Sequence, residues 1–327
     1  MMDDSRKPAS GLTWALRIGG TVVFFLILIY AVVSNKLDFG RLLSILGNAD
    51  WRLIIFSILL IVPFVAVKSG RWRAILQTYG INLSIGQAWR IYAIGLGAGQ
   101  FTPGQAGDVI KAWYLKAMGY PLSAALLSTV VDRLFDVVML GLLTLEGVIV
   151  FWQSMSGDLP VVIALIAGSA IALVALGIRP VRQRLWRMVM SRINKGKAAD
   201  EAAPATEVLH HRRAFAIACL LTVASFAVSI SRVWLMCFAV GLNVGPLEII
   251  GINALTTAAA LIPISVGGVG TRDLLLIALF GILFPGINAT VYGVAVSTLI
   301  LLLNISNTMV GYAIWFRYPA RLEEVGA

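Results

Sequence analysis

Residues 99–115 read GQFTPGQAGDVIKAWYL, and residues 262–273 read IPISVGGVGTRD. Each is a Pro- and Gly-rich break between two apolar arms. Pro removes a backbone donor and Gly admits positive φ, so neither stretch carries a helix through its middle. The arms that lead into them, from Ala88 and from Glu248, hold only about 12 and 15 residues. At 1.5 Å per residue these reach roughly 18 and 22 Å, short of a hydrocarbon core of ~30 Å. The segments Ala88–Lys116 and Glu248–Leu283 therefore read as re-entrant hairpins, dipping to mid-depth and returning to the side they entered.

Outward from the two breaks the chain is apolar. Of its 327 residues 59% are hydrophobic and 13% charged, against about 45–50% and 25% in soluble domains. This excludes a soluble globular enzyme. Unbroken apolar runs predict six full spans: Leu16–Val33, Leu53–Val67, Leu122–Phe151, Val161–Ile178, Ala214–Val240 and Ala289–Phe316. The expected fold is an all-α polytopic membrane protein, with six spans and two hairpins in one transmembrane domain covering residues 1–327.

The charge is +10, from 26 Lys and Arg against 16 Asp and Glu. In a soluble protein that surplus suggests nucleic acid; in a membrane protein it first reports sidedness, and no nucleic-acid partner is expected. SNKLD after Val33 offers no small-x-small cleavage site, so the first run reads as an uncleaved signal-anchor with its amino end inside. Three cations then precede or open the first span, six lie between Lys68 and Lys116, nine between Arg179 and Arg213, and two after Phe316. Outside lie Lys36, Arg41, Arg52 and Arg272, and within spans Arg133 and Arg232. The bias predicts a multi-pass protein of the cytoplasmic (inner) membrane with both termini cytoplasmic. Trp14, Trp51, Trp72, Trp89, Trp113, Trp152, Trp186 and Trp315 fall near the predicted interfaces, and Trp234 is deep. The loop 179–213 contains AADEAAPATE, an Ala- and acid-rich stretch. Its basic flank reads either as plain positive-inside charge or as an amphipathic surface helix.

The hairpin tips share a pattern, Phe101-x-Pro103-x-x-x-Gly107-Asp108 and Leu261-x-Pro263-x-x-x-Gly267, the latter with Gly268, Gly270 and Asp273 close behind. Entering from opposite sides, they read as an inverted-topology repeat, with half one about 53–152 and half two about 214–316. A returning arm presents unpaired N–H groups and a positive dipole end, a setting that takes phosphate. The bland alternative is that Pro and Gly merely kink long helices. Asp108 and Lys111 beside one break, and Arg272 and Asp273 beside the other, favour a site.

Three spans carry polar stripes. Ser128, Asp132 and Asp136 share one face at i, i+4, i+8, and Arg133 stands three residues before Asp136, where the two can pair. The cluster reads as either a structural lock or part of a site. Ser225, Ser229 and Arg232 form a second stripe, and Ser297, Asn304 and Thr308 a third. Arg232 costs at least about 2.5–3.5 kcal/mol at the bilayer centre. It is therefore expected to face inward, binding a phosphate or bridging to an acid such as Asp136. Cys219 and Cys237, 18 residues apart, lie about 27 Å apart on one helix and cannot pair. His210 and His211 lack ligand-type neighbours at metal spacing. No metal and no cofactor are expected.

In GQFTPGQAGDVIKAWYL, VVDRLFDVVML (130–140) and PISVGGVGTRD the chain resembles the membrane domain of lysylphosphatidylglycerol synthases and stand-alone flippase-like proteins, from about Leu53 to Phe316. In the synthases that domain is thought to move an aminoacylated phospholipid between leaflets, while a separate cytosolic domain performs aminoacyl transfer. No comparable domain is expected here. By this resemblance Pro103, Gly107, Asp108, Lys111, Asp132, Arg133, Asp136, Pro263, Gly267, Gly268, Gly270 and Asp273 are the motif positions. Asp273 stands where many relatives carry Glu, which keeps the charge and shortens its reach. The implied activity is non-enzymatic: a flippase or exchanger whose partners are membrane lipids, either an anionic or aminoacylated phospholipid or a polyprenyl-phosphate-linked lipid. The headgroup phosphate would lie at the hairpin tips with Lys111 and Arg232. No Walker A motif is present. Other readings are a non-catalytic subunit that positions a lipid- or glycan-modifying enzyme, a membrane-embedded lipid-phosphate enzyme using Asp132 and Asp136, and a small-solute transporter.

Overall fold

A computed structural model describes residues 38–100, 102, 107–155, 211–261 and 270–318. Among these all regular structure is helical: α1 Phe39–Gly47, α2 Trp51–Leu59, α3 Ile61–Thr78, α4 Ile85–Gln100, α5 Ile110–Ala117, α6 Leu122–Met155, α7 Arg212–Ala239, α8 Pro246–Leu261, α9 Thr271–Leu283 and α10 Ala289–Arg317. The starts carry the side-chain acceptors that orphan N–H groups need. Asp38, Asp50 and Asn288 cap α1, α2 and α10. At α4, Ser84 and Gln87 bond each other's backbone N–H in a capping box.

Four helical stretches are long and apolar enough to cross a membrane: Trp51–Thr78, Leu122–Trp152, Arg212–Ala239 and Ala289–Arg317. Three match the expected spans to within two residues at each end. The fourth extends well past the expected limit at Val67, because the polar run after it remains helical. It is jogged at Leu60, between α2 and α3. Pro63 lacks the N–H that would bond one turn back to Leu59, which accounts for the step. The expected spans Leu16–Val33 and Val161–Ile178 lie outside the described residues, as do Phe101, Pro103, Pro263, Gly267, Gly268 and nearly all of the 179–213 loop.

Both broken segments are interrupted where the sequence places Pro and Gly, leaving α4 and α5 on the two sides of one break and α8 and α9 on the two sides of the other. Gly270, at φ 107°, turns the chain into α9, a conformation that a side chain disfavours. The most extensive helix contacts are α8 on α6, α10 on α4 and α7 on α3. Two of them are made glycine to glycine. A methyl on Gly97 of α4 would lie 2.9 Å from the Cα of Gly311 on α10, and one on Gly147 of α6 2.8 Å from that of Gly251 on α8. Small residues let helix backbones approach this closely in membranes.

The apolar interior falls into two main groups. One joins α3 to α6 through Trp72, Leu76, Tyr92, Leu115 and Ala125. The other joins α6 to α10 through Met236, Leu255, Phe280 and Leu303. Meanwhile Leu59, Leu142, Ile149, Leu220, Met309 and Phe316 turn outward with most of their surface open, the inverse of a water-soluble protein and suited to lipid contact.

Candidate functional site

Seven charged side chains form an alternating chain between α3, the turn before α5, α5 itself and α6. Lys68 donates to both oxygens of Asp136, at 2.9 and 2.8 Å. Arg71 reaches Asp136 through Nη1 at 2.7 Å and Asp132 through Nε at 2.8 Å. Lys111 lies 3.3 Å from Asp132 and 2.7 Å from Asp108. Arg133 joins it 2.9 Å from Asp108. The order is therefore cation, anion, cation, anion, cation, anion, cation.

The setting is dry and polar groups line it. Arg71, Lys111 and Asp132 are fully buried. Arg71 also donates to Thr222 of α7 at 3.1 Å, and Tyr92 of α4 donates its hydroxyl to Asp132 at 3.0 Å. Lys111 stands over the Tyr92 ring at 4.2 Å and the Trp72 ring at 5.2 Å, which adds cation–π attraction. Gly95 makes room for this: a methyl there would sit 2.6 Å from Lys111 Cγ and 2.7 Å from Asp108 Oδ1. Losing one member of such a buried pairing costs about 3–5 kcal/mol, since the remaining charge is stranded.

Several expectations change here. Arg133 does not take Asp136 as its main partner: that separation is 3.9 Å, against 2.9 Å to Asp108. Asp136 does not bridge to Arg232, because Lys68 and Arg71 occupy it. Lys111 is not a free cation for phosphate, since two carboxylates hold it. Lys68, Arg71 and Lys111, counted among cytoplasmic cations, lie inside the helix packing and are ion-paired there. Trp72 is fully buried rather than interfacial, its indole N–H donating to Ser128 at 3.3 Å. Lys68, Arg71, Trp72 and Tyr92 escaped sequence reasoning, although Lys68, Arg71 and Trp72 fall at i, i+3, i+4 on one face of α3.

Arg232 of α7 lies apart from that chain and is 5% exposed. Its Nε donates to the Ser57 carbonyl at 3.0 Å, and Ser57 Oγ returns a bond to the Arg232 carbonyl at 2.9 Å. Its Nη2 donates to Asn307 Oδ1 of α10 at 2.9 Å, and the guanidinium lies 5.7 Å from the centre of the Phe64 ring. Every one of these partners is neutral. Lys68 also lies near this ring, 5.4 Å from its centre.

At the second break, Arg272 and Asp273 are buried and pair with each other, Nε to Oδ1 at 2.9 Å. Arg272 was expected among outward cations. Asp273 Oδ2 accepts the Gly270 N–H at 3.0 Å, fastening the start of α9. At the first break Gly107 packs on the Ala98 backbone, leaving no space for a side chain. Beside it an apolar cavity of about 440 Å³ opens between α4, α5 and α10, with Trp113 and Trp315 in its wall. One further acid lies in a span: Glu146 of α6, both of whose oxygens are shielded and accept no hydrogen bond.

Residues 15–311 match the model of the lysylphosphatidylglycerol synthase transmembrane region. The chain belongs to that family. Among similar proteins, the glycosyltransferase AglD of Haloferax volcanii is 23% identical over 311 residues, covering 83% of this chain and 50% of AglD. This chain thus spans about half the length of that relative. UPF0104 membrane proteins of Methanocaldococcus jannaschii and Methanothermobacter thermautotrophicus are 21% and 24% identical, over 82% and 81% of their lengths. The family membership and the apolar helices make this a membrane protein.

Proposed function

We propose that the protein binds the phosphate of an anionic membrane lipid within the bilayer and moves the lipid between leaflets, without catalysing a covalent change. One observation carries the reading: Arg232 is a buried cation that, among the described residues, meets only neutral partners. A cation at membrane depth costs several kcal/mol unless an anion answers it, and the phosphate of a lipid is the anion that a bilayer supplies. The apolar cavity beside the first break, walled on one side by α10, gives a hydrocarbon chain a place near the polar interior. Asp132 and Asp136 are each committed to two cations, which argues against their service as catalytic base or metal ligand.

The same proposal includes the architecture: six spans, two re-entrant hairpins, both termini cytoplasmic, and an inverted repeat with halves near 53–152 and 214–316 about the 179–213 loop. The reciprocal packing supports it. The first hairpin arm α4 lies on α10 of the second half, and the second hairpin arm α8 lies on α6 of the first.

The test is leaflet exchange in liposomes with labelled anionic and aminoacylated lipids; no exchange across that panel sinks the proposal. Arg232→Ala should abolish exchange while shifting the melting temperature by far less than its loss of function implies. Equal loss of fold and activity would make Arg232 a structural bridge. A second reading is favoured by the match to half of AglD: a membrane subunit that positions a glycan- or lipid-modifying enzyme. Co-purification of a transferase with a protein silent in liposomes would select it.

A further inference from the structure

We infer that Arg232 and Asn307 together form the phosphate site, and that the lipid it accepts is a phosphodiester whose headgroup carries no cation. The inference rests on the lipid-phosphate reading above and goes further by adding a second binding residue and the headgroup class.

Both side chains are buried, at 5% and 6% exposure, and they come from different helices, α7 and α10. Arg232 Nη2 donates to Asn307 Oδ1 at 2.9 Å and Arg232 Nε to the Ser57 carbonyl at 3.0 Å. One donor atom on each side chain, Nη1 of the arginine and Nδ2 of the asparagine, then has no acceptor among the described residues, and neither is sealed from contact. A guanidinium only donates, so it takes the amide by its oxygen and leaves the nitrogen as the free end. Two N–H donors from two helices thus adjoin one hydrogen bond. They suit the two unesterified oxygens of a phosphodiester, one to each donor. The amide also holds the guanidinium in place without neutralising it, as a carboxylate there would.

The headgroup class follows from the acids. An ammonium on the headgroup would enter beside Arg232 and would need a carboxylate of its own at depth. Asp132 and Asp136 are ion-paired to cations of α3, Asp108 to Lys111 and Asp273 to Arg272. Both oxygens of Glu146 are shielded. Trp51–Thr78, Arg212–Ala239 and Ala289–Arg317 contain no acid, and neither do residues 16–33, 101, 103–106, 161–178 and 262–269. What stands near the pair is neutral. Ser229 lies one turn from Arg232 on α7 and Asn304 one turn from Asn307 on α10, each on the same side of its helix as its neighbour. Their side chains form no hydrogen bond among the described residues. A hydroxyl and an amide both donate and accept, as the hydroxyls of an uncharged headgroup do.

The experiment places the full chain in phosphatidylcholine nanodiscs and measures competitive binding of phosphatidylglycerol, phosphatidylethanolamine and lysyl-phosphatidylglycerol. Phosphatidylglycerol should bind at least about tenfold more tightly than either of the other two. Affinity for phosphatidylethanolamine or the lysyl lipid equal to or above that for phosphatidylglycerol overturns the headgroup class and leaves the phosphate reading standing. Binding of none of the three overturns the phosphate reading as well. Asn307→Asp keeps the side-chain shape and sets a carboxylate against Arg232, so phosphatidylglycerol affinity should fall at least about tenfold while the melting temperature stays at or above that of wild type. Unchanged affinity in a folded variant overturns the role of Asn307. In wild-type protein carrying isotope-labelled asparagine, solid-state NMR should show a dipolar contact between the bound lipid's phosphorus and a side-chain amide nitrogen. Its absence overturns the same role without any substitution.

Discussion

Asp132→Asn should unfold the protein far more readily than any surface change, and its size follows from the geometry. Asp132 is fully buried and accepts from Arg71 at 2.8 Å, Tyr92 at 3.0 Å and Lys111 at 3.3 Å. Removing its charge raises the excess of the seven-member chain from one to two and strands Arg71 and Lys111 on one remaining carboxylate each. Breaking a buried pair in this way costs about 3–5 kcal/mol, against a total of about 5–15 kcal/mol for a typical fold. The assay is a melting curve of purified protein in detergent, where the loss should appear as a drop on the order of 10 °C. Adding Lys111→Met restores the original excess and leaves a polarizable side chain between the rings of Trp72 and Tyr92. The double variant should therefore recover at least about half of the loss. A single variant within about 1 kcal/mol of wild type, or a double variant as unstable as the sum of its parts, would refute the account of the chain as a coupled electrostatic unit.

Two further outcomes follow from other contacts. Glu146→Leu should raise the melting temperature, because both carboxyl oxygens are shielded without a donor; removing an unsatisfied polar group is worth about 1–3 kcal/mol, and leaflet exchange should persist. Gly147→Val should lower stability by about 1–3 kcal/mol, since the first added carbon alone would stand 2.8 Å from the Cα of Gly251; a melting curve unchanged from wild type would mean that α6 and α8 separate freely.

Much of the fold could be read from composition and interruption. The limits of α6, α7 and α10, the places where the broken segments stop, and the Asp132/Arg133/Asp136 face all follow from apolar run length and helical period. The α3 boundary did not. Lys68, Ser69, Gly70 and Arg71 look like the end of a span because isolated cations are costly at depth, and what keeps α3 going is carboxylates some sixty residues away on α6. Pairing by helical spacing finds neighbours three or four residues apart, so it joined Arg133 to Asp136 and missed Asp108. Long-range partners depend on which helices touch, and no local pattern states that. The same limit hid Tyr92, which reads as one aromatic in an apolar arm until α4 is laid against α6. Arg232 was legible as an inward-facing cation, but its neutral partners Ser57 and Asn307 were not, because hydroxyl and amide residues in spans are too common to single out.

The two glycine crossings have a mechanical consequence. Where Gly97 meets Gly311 and Gly147 meets Gly251, backbone lies on backbone, with Phe151 and Leu255 packed beside the second crossing. The charged chain works through side chains instead, tying α3 to α6 through Lys68 and Arg71 and α5 to α6 through Lys111. The molecule thus contains one clasp of charged side chains and two crossings where backbones touch, and a shift of α4 on α10 or of α8 on α6 would leave the ion pairs between α3 and α6 in place.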